Sequence, residues 1–353
     1  MRTIGRRLVK WYGKHARDLP WRTNPTPYRV LVSEVMLQQT VVGTVLAYFE
    51  RWLERFPNPE ALAAAGERDV LTLWEGMGYY RRALRLREAA GLVMAEYGGR
   101  IPSDRAALRR LPGVGPYIAA AVLSFAFGQD VAAVDANAVR VFMRLTGMDG
   151  TGREAAVKSA VRECAEAGLP PGHSSAFNQG VMDFGSLICR PRRPRCDECF
   201  LRDRCAAFRA GRQYDVPRPT RRRLTKIRTS VALFLRDGCV YLQKRPPGGL
   251  FAGMWEFPGG KAEAGETSRA ALVRECREEL GIDCVPGRRV ARVVHYYTVF
   301  EITLHAYRCE PPVDLPLDRT HRWVALGEIG DYPMPSASRR IITELTSREY
   351  GRR

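Results

Sequence analysis

The chain reads Cys189-Arg-Pro-Arg-Arg-Pro-Arg-Cys196-Asp-Glu-Cys199-Phe-Leu-Arg-Asp-Arg-Cys205 near its middle, and so places four of its nine cysteines in one short stretch. Thiolates this close repel one another unless a shared soft cation neutralises them. The spacing differs from the paired C-x2-C motifs of a zinc ribbon. Two kinds of site remain open, an iron–sulfur cluster and a four-cysteine zinc site.

Length and charge narrow the class of protein. A chain of 353 residues is too long for one ordinary core and predicts two domains. The formal net charge of +18 favours a polyanionic partner such as nucleic acid, with an arginine-rich genome as the alternative explanation. No apolar run reaches membrane-spanning length and the N-terminus has no hydrophobic signal core, so we expect no membrane partner. Nine cysteines without such a signal favour a reducing cytoplasm, where the protein would associate with the nucleoid.

Two patterns of hydrophobic periodicity divide the chain. From residue 27 to about residue 210 apolar residues recur at helical spacing, which predicts an all-α domain over residues 1–215 that includes the cysteine loop 189–205. Residues 216–228 combine two prolines with a run of cations, which is typical of a stiff, solvated linker. Residues 229–347 show alternating strand patterns, a turn at Asp237-Gly238 and one strong helix over 267–280, which predicts an α+β domain.

A glycine-rich turn lies at the start of one helix of the first domain. The segment Leu111-Pro-Gly-Val-Gly-Pro-Tyr117 leads directly into an apolar run. Gly113 and Gly115 permit a tight turn whose backbone N–H groups can face a phosphate, and Pro116 suits the first helical position. On the motif alone, a hairpin that grips DNA and an ordinary corner between two helices are both open.

Two carboxylates stand out in the first domain. Asp135, in Ala-Val-Asp135-Ala-Asn137, is by itself most simply a helix N-cap. Glu34 is the only charge in Val30-Leu-Val-Ser-Glu-Val-Met-Leu-Gln-Gln-Thr40. A buried carboxyl group has a raised pKa and can act as a general acid at neutral pH, whereas the alternative is a surface glutamate on a helix flank.

The second domain carries a third motif, Gly260-x5-Glu266-x7-Arg274-Glu275-Cys276-x-Glu278-Glu279-x-Gly281-Ile282. Glu275, Glu278 and Glu279 stand at i, i+3 and i+4, so one helix face carries three carboxylates. Such a face loses stability through charge repulsion unless divalent cations neutralise it, and oxygen ligands suit Mg²⁺ or Mn²⁺. The alternative is a solvated acidic helix, but the many fixed positions favour the Nudix signature.

The motifs of the first domain together resemble a known group of enzymes. The cysteine spacing is similar to that of the endonuclease III superfamily of helix-hairpin-helix glycosylases, and Ser33-Glu-Val-Met-Leu-Gln-Gln-Thr40 resembles the active-site helix of the MutY family of adenine DNA glycosylases. The resemblance implies a [4Fe–4S] cluster on Cys189, Cys196, Cys199 and Cys205. It also implies that adenine opposite 8-oxoguanine is flipped out of double-stranded DNA and excised by a monomer. Glu34 would protonate the departing adenine, and Asp135 would stabilise the oxocarbenium-like sugar.

The same resemblance implies roles for the side chains around these carboxylates. Tyr117 stands where bifunctional relatives carry a Schiff-base lysine, which implies base release without strand cleavage. Tyr79, in the loop 76–81, would wedge beside the lesion, and Gln39 would fill the vacated stack. Small departures are Ala136, where a glycine is usual, and Phe200, where a proline is usual. The other positions implied in the catalytic pocket or on the DNA surface are Asn137, Trp21, Arg22, Leu37, Thr40, Gly113, Gly115 and Gln179.

The second domain resembles MutT-like Nudix domains, which in MutY relatives read 8-oxoguanine. The Nudix box, usually degraded in those relatives, is complete here and implies a Mg²⁺ or Mn²⁺ site on Glu266, Glu275, Glu278 and Glu279. The lesion-reading loop corresponds to residues 297–299 and lacks the usual histidine, which leaves Thr298 to hydrogen-bond the lesion.

Three other functions stay open at this point. The second domain of a bifunctional protein would also hydrolyse oxidised nucleoside triphosphates. A non-catalytic iron–sulfur protein would only bind DNA or sense redox state, and the intact pair Glu34 and Asp135 argues against it. A pyrimidine glycosylase with strand-cleaving activity is disfavoured by Tyr117 and by the second domain.

Overall fold

The computed structural model describes residues 1–220, 224–246, 248–297 and 299–350, with side chains described as far as residue 347. The chain forms two compact units, Met1–Ala64 with Arg85–Arg221 and Ala65–Leu84 with Arg222–Arg353. The division near residue 221 lies inside the linker predicted over 216–228. The segment Ala65–Leu84, which the sequence pattern assigns to the first domain, belongs to the second unit.

Helices and strands are numbered in chain order over the described residues. The helices are α1 (Arg2–His15), α2 (Pro20–Thr23), α3 (Pro27–Leu37), α4 (Val42–Arg55), α5 (Pro59–Ala64), α6 (Glu67–Trp74), α7 (Arg81–Tyr97), α8 (Arg105–Arg110), α9 (Pro116–Phe125), α10 (Ala136–Thr146), α11 (Ala155–Gly168), α12 (Ser174–Leu187), α13 (Ala206–Arg209), α14 (Ser268–Leu280) and α15 (Ser336–Tyr350). The strands are β1 (Thr225–Arg236), β2 (Cys239–Lys244), β3 (Trp255–Glu256), β4 (Gly259–Lys261), β5 (Pro286–Tyr297), β6 (Phe300–Cys309) and β7 (His321–Ala325).

The described part of the first unit is helical throughout, as the sequence predicts. Local signals start its helices, because proline occupies the first position of α3 and α9. The Thr26 hydroxyl caps α3 by accepting a hydrogen bond from the Arg29 amide. A core of apolar side chains from α1, α10 and α12 includes Leu8, Phe142 and Phe177. None of the helices in the described residues is long and apolar enough to cross a membrane.

The second unit is the predicted α+β domain. Its seven strands have the order β3-β2-β1-β6-β5, with β4 beside β1 and β7 beside β2. β1 runs parallel to β6, and the other pairs are antiparallel. Helix α14 packs Leu272 and Cys276 against one face of the sheet, while α15 packs Ile341 and Ile342 against a second apolar cluster. The acidic motif therefore lies on a helix that is fixed to the sheet.

Candidate active site

Glu34 lies near the end of α3, a helix that buries eight of its eleven residues. Its side chain is 4% exposed. The Tyr117 hydroxyl, from the first turn of α9, donates a hydrogen bond to Glu34 Oε2 at 2.6 Å. The pKa of Glu34 is raised to about 7, chiefly by burial. The hydrogen bond from Tyr117 acts to lower this pKa, and the Asp135 charge acts to raise it. The carboxyl group is therefore poised to exchange a proton near neutral pH.

Asp135 caps α10 and also faces Asn137. Its Oδ1 accepts a hydrogen bond from the Ala138 amide at 2.7 Å, and its Oδ2 accepts one from Asn137 Nδ2 at 2.7 Å. Burial raises the pKa of Asp135, while these two hydrogen bonds lower it. The residue is thus a helix cap and a half-buried carboxylate at the same time, so its two interpretations are compatible.

Arg22 is held by a partner that the sequence reasoning missed. Its guanidinium group donates to both carboxylate oxygens of Asp183 on α12, at 2.7 and 3.0 Å. Arg17 donates to the same carboxylate at 2.7 Å. Although burial raises the pKa of Asp183, these two guanidinium groups hold it below its ordinary value. Arg22 also lowers the pKa of Glu34 by its charge, which places it among the groups that tune the acid.

The other predicted pocket residues are more dispersed. Trp21 is buried and meets Phe49 edge-to-face, with ring centroids 5.3 Å apart. Gln179 uses its amide within α12 by donating to Ser175 Oγ at 2.9 Å. Gln39 follows α3 in a left-handed conformation with φ 59° and an exposed side chain, beside the half-buried Leu37 and Thr40. Thr298 lies outside the described residues.

The glycine-rich turn joins α8 to α9 as the motif predicts. Gly113 has φ +82° and lies close to the Arg85 side chain, so a side chain at this position would be strained. Gly115 is the N-cap of α9, and the space where its Cβ would stand is open. A backbone exposed in this way at a helix N-terminus can approach a phosphate closely.

The four cysteines of the loop line one cavity, together with Phe184 and Ile188. The pKa of Cys199 is raised to about 11, mainly by burial and in part by the neighbouring cysteines. A cation must therefore stabilise the thiolates. Within the described residues, no three His, Cys, Asp or Glu side chains form a set that could hold a metal ion as they stand. Four soft thiolate donors around one cavity suit an iron–sulfur cluster.

Two buried arginines on α10 connect this loop to Asp135, and the sequence reasoning missed both. Arg144 donates to Cys189 Sγ at 3.3 Å and to the Arg190 carbonyl at 2.7 Å. Arg140 donates to the Cys189 carbonyl and to Asn137 Oδ1, both at 2.8 Å. Asn137 in turn bonds Asp135. The available signal was a pair of arginines at i and i+4 on a strongly amphipathic helix.

The acidic face of α14 is neutralised from within its own motif. The Arg274 guanidinium donates to Glu266 Oε1 and Glu275 Oε1, both at 3.1 Å, and to Glu278 Oε2 at 2.8 Å. Glu279 Oε2 instead accepts a hydrogen bond from Gln243 at 2.6 Å. Burial still raises the pKa of Glu275, to which Glu279 and Glu278 contribute by like charge. A cation at this face would compete with Arg274 for the carboxylates.

Three family models match the chain. The model described as HhH-GPD superfamily base excision DNA repair protein matches residues 32–166, and the iron-sulfur binding domain of endonuclease III matches residues 189–205. The NUDIX domain matches residues 230–344. The first range contains both site carboxylates, the second contains the four loop cysteines and the third contains the acidic helix.

Known proteins resemble the chain over different lengths. Adenine DNA glycosylase from Rattus norvegicus is 30% identical over 395 residues, which cover 96% of this chain and 77% of the relative. The structure of a thermostable thymine-DNA glycosylase has 33% identity and a TM-score of 0.55, covering 59% of this chain and 96% of its own. An endonuclease III in a non-covalent DNA complex has 25% identity and a TM-score of 0.52, covering 60% and 95%. With the family matches, these likenesses confirm the predicted fold class.

Proposed function

This chain belongs to the adenine DNA glycosylase family of base excision repair enzymes, and from that premise we propose that it excises adenine opposite 8-oxoguanine through Glu34 and Asp135. One observation carries the assignment of roles. Glu34 is a buried carboxyl group with a pKa near 7, bonded at 2.6 Å to Tyr117, while Asp135 keeps its carboxylate among hydrogen-bond donors. Cleavage of a glycosidic bond needs an acid that protonates the leaving base and an anion that stabilises the sugar cation. The different surroundings of Glu34 and Asp135 suit these two roles.

The reaction needs a proton on the base and negative charge beside the sugar. In the proposed sequence the protonated Glu34 gives its proton to a ring nitrogen of the flipped adenine, and the bond from that base to the sugar C1′ breaks. The electron pair of that bond leaves with the base, so the sugar becomes cationic and the Asp135 carboxylate stabilises it. Water then adds at C1′ and its proton returns to a carboxylate. The products are adenine and an abasic site.

The experiment that tests this function is a single-turnover assay on duplexes in which adenine lies opposite 8-oxoguanine or guanine, with thymine opposite guanine as a third substrate. We expect adenine release that is fastest opposite 8-oxoguanine and strand breaks only after alkali. Borohydride should trap no covalent complex, because the Tyr117 hydroxyl cannot form an imine. Thymine release, or a trapped complex, would refute the proposal.

We further infer that the enzyme acts as a monomer on double-stranded DNA in a reducing cytoplasm, associated with the nucleoid. A net charge of +18 favours binding to the phosphate backbone, and a loop of four cysteines needs reducing conditions to receive its cluster. The second unit would read the 8-oxoguanine through the loop 297–299. A sedimentation measurement of the complex with one duplex would show its stoichiometry.

The pH dependence of adenine release reports the state of Glu34. Because the acid must be protonated, we expect the rate constant to fall as pH rises above the Glu34 pKa of about 7. In Tyr117→Phe, the hydrogen bond that lowers this pKa is lost, so the pKa rises and the alkaline limb moves to higher pH. Single-turnover rates of both proteins across the pH range measure the shift. A limb that stays in place, or moves to lower pH, would contradict the assignment of Glu34 as the acid.

Cys199→Ser is expected to lose the iron–sulfur cluster. The wild-type protein should contain iron and sulfide as a [4Fe–4S] cluster and absorb broadly in the visible, and a serine oxygen is a poor ligand for it. Metal analysis and the visible spectrum give the measurement. Cys164→Ser is the matched control, because Cys164 is half-buried but lies outside the loop. Stoichiometric zinc without iron or sulfide in the wild type would contradict the cluster.

A second proposal concerns the acidic face of α14. We propose that Glu266, Glu275, Glu278 and Glu279, which form no metal-binding set as they stand, turn away from Arg274 and converge on Mg²⁺ or Mn²⁺. Glu279 and Glu278 raise the pKa of Glu275 by like charge, so Arg274 does not remove all the repulsion between these carboxylates. A divalent cation would relieve the remaining repulsion, which supports the proposal. Glu278 is the accessible ligand, with a side chain that is 59% exposed.

Titration of the full-length protein with Mn²⁺, followed by electron paramagnetic resonance, tests this site. We expect saturable binding that weakens in Glu278→Gln and is unchanged in Glu263→Gln, an exposed neighbour outside the fixed positions of the motif. Equal binding by both variants would refute the site. Release of pyrophosphate from 8-oxo-dGTP in the same samples would identify the bifunctional alternative, in which the second domain is also a hydrolase.

A further inference from the structure

The loop that carries Tyr79 begins at an ion pair within the second unit. Glu75 is the C-cap residue that follows α6. Its carboxylate accepts hydrogen bonds from Arg339 Nε at 2.5 Å and from Arg339 Nη2 at 2.9 Å. Arg339 lies in the first turn of α15, and its Nη1 also donates to the Ile329 carbonyl at 2.9 Å. The Met334 amide gives the same carboxylate a third hydrogen bond at 3.1 Å, so three hydrogen bonds from two partners fix the end of α6.

The loop itself is held in a conformation that needs such support. Gly76 and Gly78 have φ values of +95° and +72°, and Tyr79 has φ +49° although it is not a glycine. Left-handed backbone at a tyrosine is strained and persists only where its surroundings impose it. Two side chains help to impose this conformation. Arg82 donates to the carbonyls of residues 77 and 78, and the Trp74 indole donates to the Gly78 carbonyl at 3.0 Å.

Aromatic rings of the second unit meet the tip of the loop. The Tyr79 ring lies 5.4 Å from the ring of Tyr297, and Tyr297 lies 5.3 Å from Phe251. Phe251 in turn meets Tyr80 at 6.0 Å. Rings packed at these distances restrict the side chain of Tyr79. The ion pair between Glu75 and Arg339 restricts the backbone that precedes it. The loop therefore contacts the second unit both at its base and at its tip.

We propose that Arg339 is a positioning residue for the glycosylase, which acts by fixing Glu75 so that the loop presents Tyr79 to DNA in one orientation. The inference rests on the proposed function, because the resemblance supplies the role of Tyr79 as a wedge. Arg339 touches neither the base nor the sugar. Its effect is on how well Tyr79 unstacks the duplex, and a misplacement of a supporting group by about 1 Å can slow an enzyme roughly 100-fold.

The test uses full-length protein and a duplex with 2-aminopurine beside the mismatch, whose fluorescence rises when the wedge unstacks it. In Arg339→Gln we expect a smaller fluorescence rise, faster amide hydrogen exchange over residues 76–80 without DNA, and adenine excision slowed by about 10- to 100-fold. Arg339→Lys keeps the charge and should retain more of each signal than Arg339→Gln. Arg340→Gln is the matched control, because Arg340 is the exposed next residue of the same helix and should behave as wild type.

A double variant separates positioning from general destabilisation. If Arg339 acts through Tyr79, then adding Arg339→Gln to Tyr79→Ala causes little further loss of excision. Equal losses in the presence and absence of the Tyr79 ring would overturn the proposal, as would unchanged fluorescence in Arg339→Gln. Glu75→Gln, which keeps the shape of the side chain, serves if Arg339→Gln does not fold. If the wild type releases no adenine, the proposed function fails, while exchange and fluorescence still decide the role of Arg339.

Discussion

A Glu34→Gln variant is expected to bind mismatched DNA like the wild type and to release adenine at least about a thousandfold more slowly. Glutamine fills the same buried space and can still accept the hydrogen bond of Tyr117, but it carries no acidic proton. The departing adenine would then leave as an unprotonated anion, which is a poor leaving group. Single-turnover excision opposite 8-oxoguanine, with binding measured separately, distinguishes the loss of chemistry from a loss of affinity.

The control for this variant is Glu60→Gln, a substitution at an exposed glutamate of α5 in the same unit. It removes the same charge and should leave excision unchanged, which excludes an effect of net charge on DNA binding. Thermal unfolding completes the comparison. Because Glu34 is buried and holds its proton near pH 7, the neutral glutamine should fold as well as the wild type at that pH. Excision by Glu34→Gln at close to the wild-type rate would remove Glu34 from the reaction.

The sequence predicted those parts of the fold whose signals are local. The periodicity predicts helices over Arg81–Tyr97 and Arg105–Arg110, which are the bounds of α7 and α8, and α3 begins at the predicted Pro27. Caps, proline at the first position and helical periodicity all act within a few residues. By contrast, the predicted helical pattern begins at residue 27 and omits α1, although α1 is amphipathic and buries Ile4, Gly5 and Leu8. The start of α1 has no side-chain cap to mark it.

In the candidate site, too, the sequence revealed side chains with a local signal and missed those whose partners are distant in the chain. Glu34 and Asp135 are recognisable because each stands in an unusual local sequence. Asp183 gave no comparable signal, since its importance depends on Arg22, which lies 161 residues earlier in the chain. The acidic helix is a related case. Repulsion between its carboxylates predicts that divalent cations neutralise them, but the sequence cannot show that Arg274 of the same motif pairs with them in the structure.

The segment Ala65–Leu84 illustrates why unit limits are harder to predict than elements. Its helical pattern continues that of the preceding residues, so the sequence assigns it to the first domain. The residues that hold it, Arg339 and Tyr297, lie more than 200 positions further along the chain. No local pattern encodes such contacts. The consequence for function is that the loop of Tyr79 belongs to the same compact unit as the Nudix motif.

Asp135→Asn is the second substitution with a large expected effect, and it separates the two interpretations of this residue. Asparagine caps helices as well as aspartate does, and its Oδ1 can still accept the hydrogen bond of the Ala138 amide. If Asp135 were only a cap, the variant would therefore excise adenine at close to the wild-type rate. If its negative charge stabilises the sugar cation, excision should fall by about 100- to 1000-fold while the melting temperature stays nearly unchanged.

The matched control for Asp135→Asn is Asp104→Asn. Asp104 caps α8 in the same way, with its carboxylate accepting a hydrogen bond from the Ala107 amide at 2.7 Å. It is exposed and, unlike Asp135, is not among the groups that shift the pKa of Glu34. Both substitutions replace a capping aspartate by a capping asparagine, so an effect that both variants show is caused by the change of cap. The difference between their excision rates is caused by the loss of the charge at residue 135. Full excision by Asp135→Asn, with a melting temperature equal to that of Asp104→Asn, would leave Asp135 a helix cap, and Glu34 would then have to work without an anion beside the sugar.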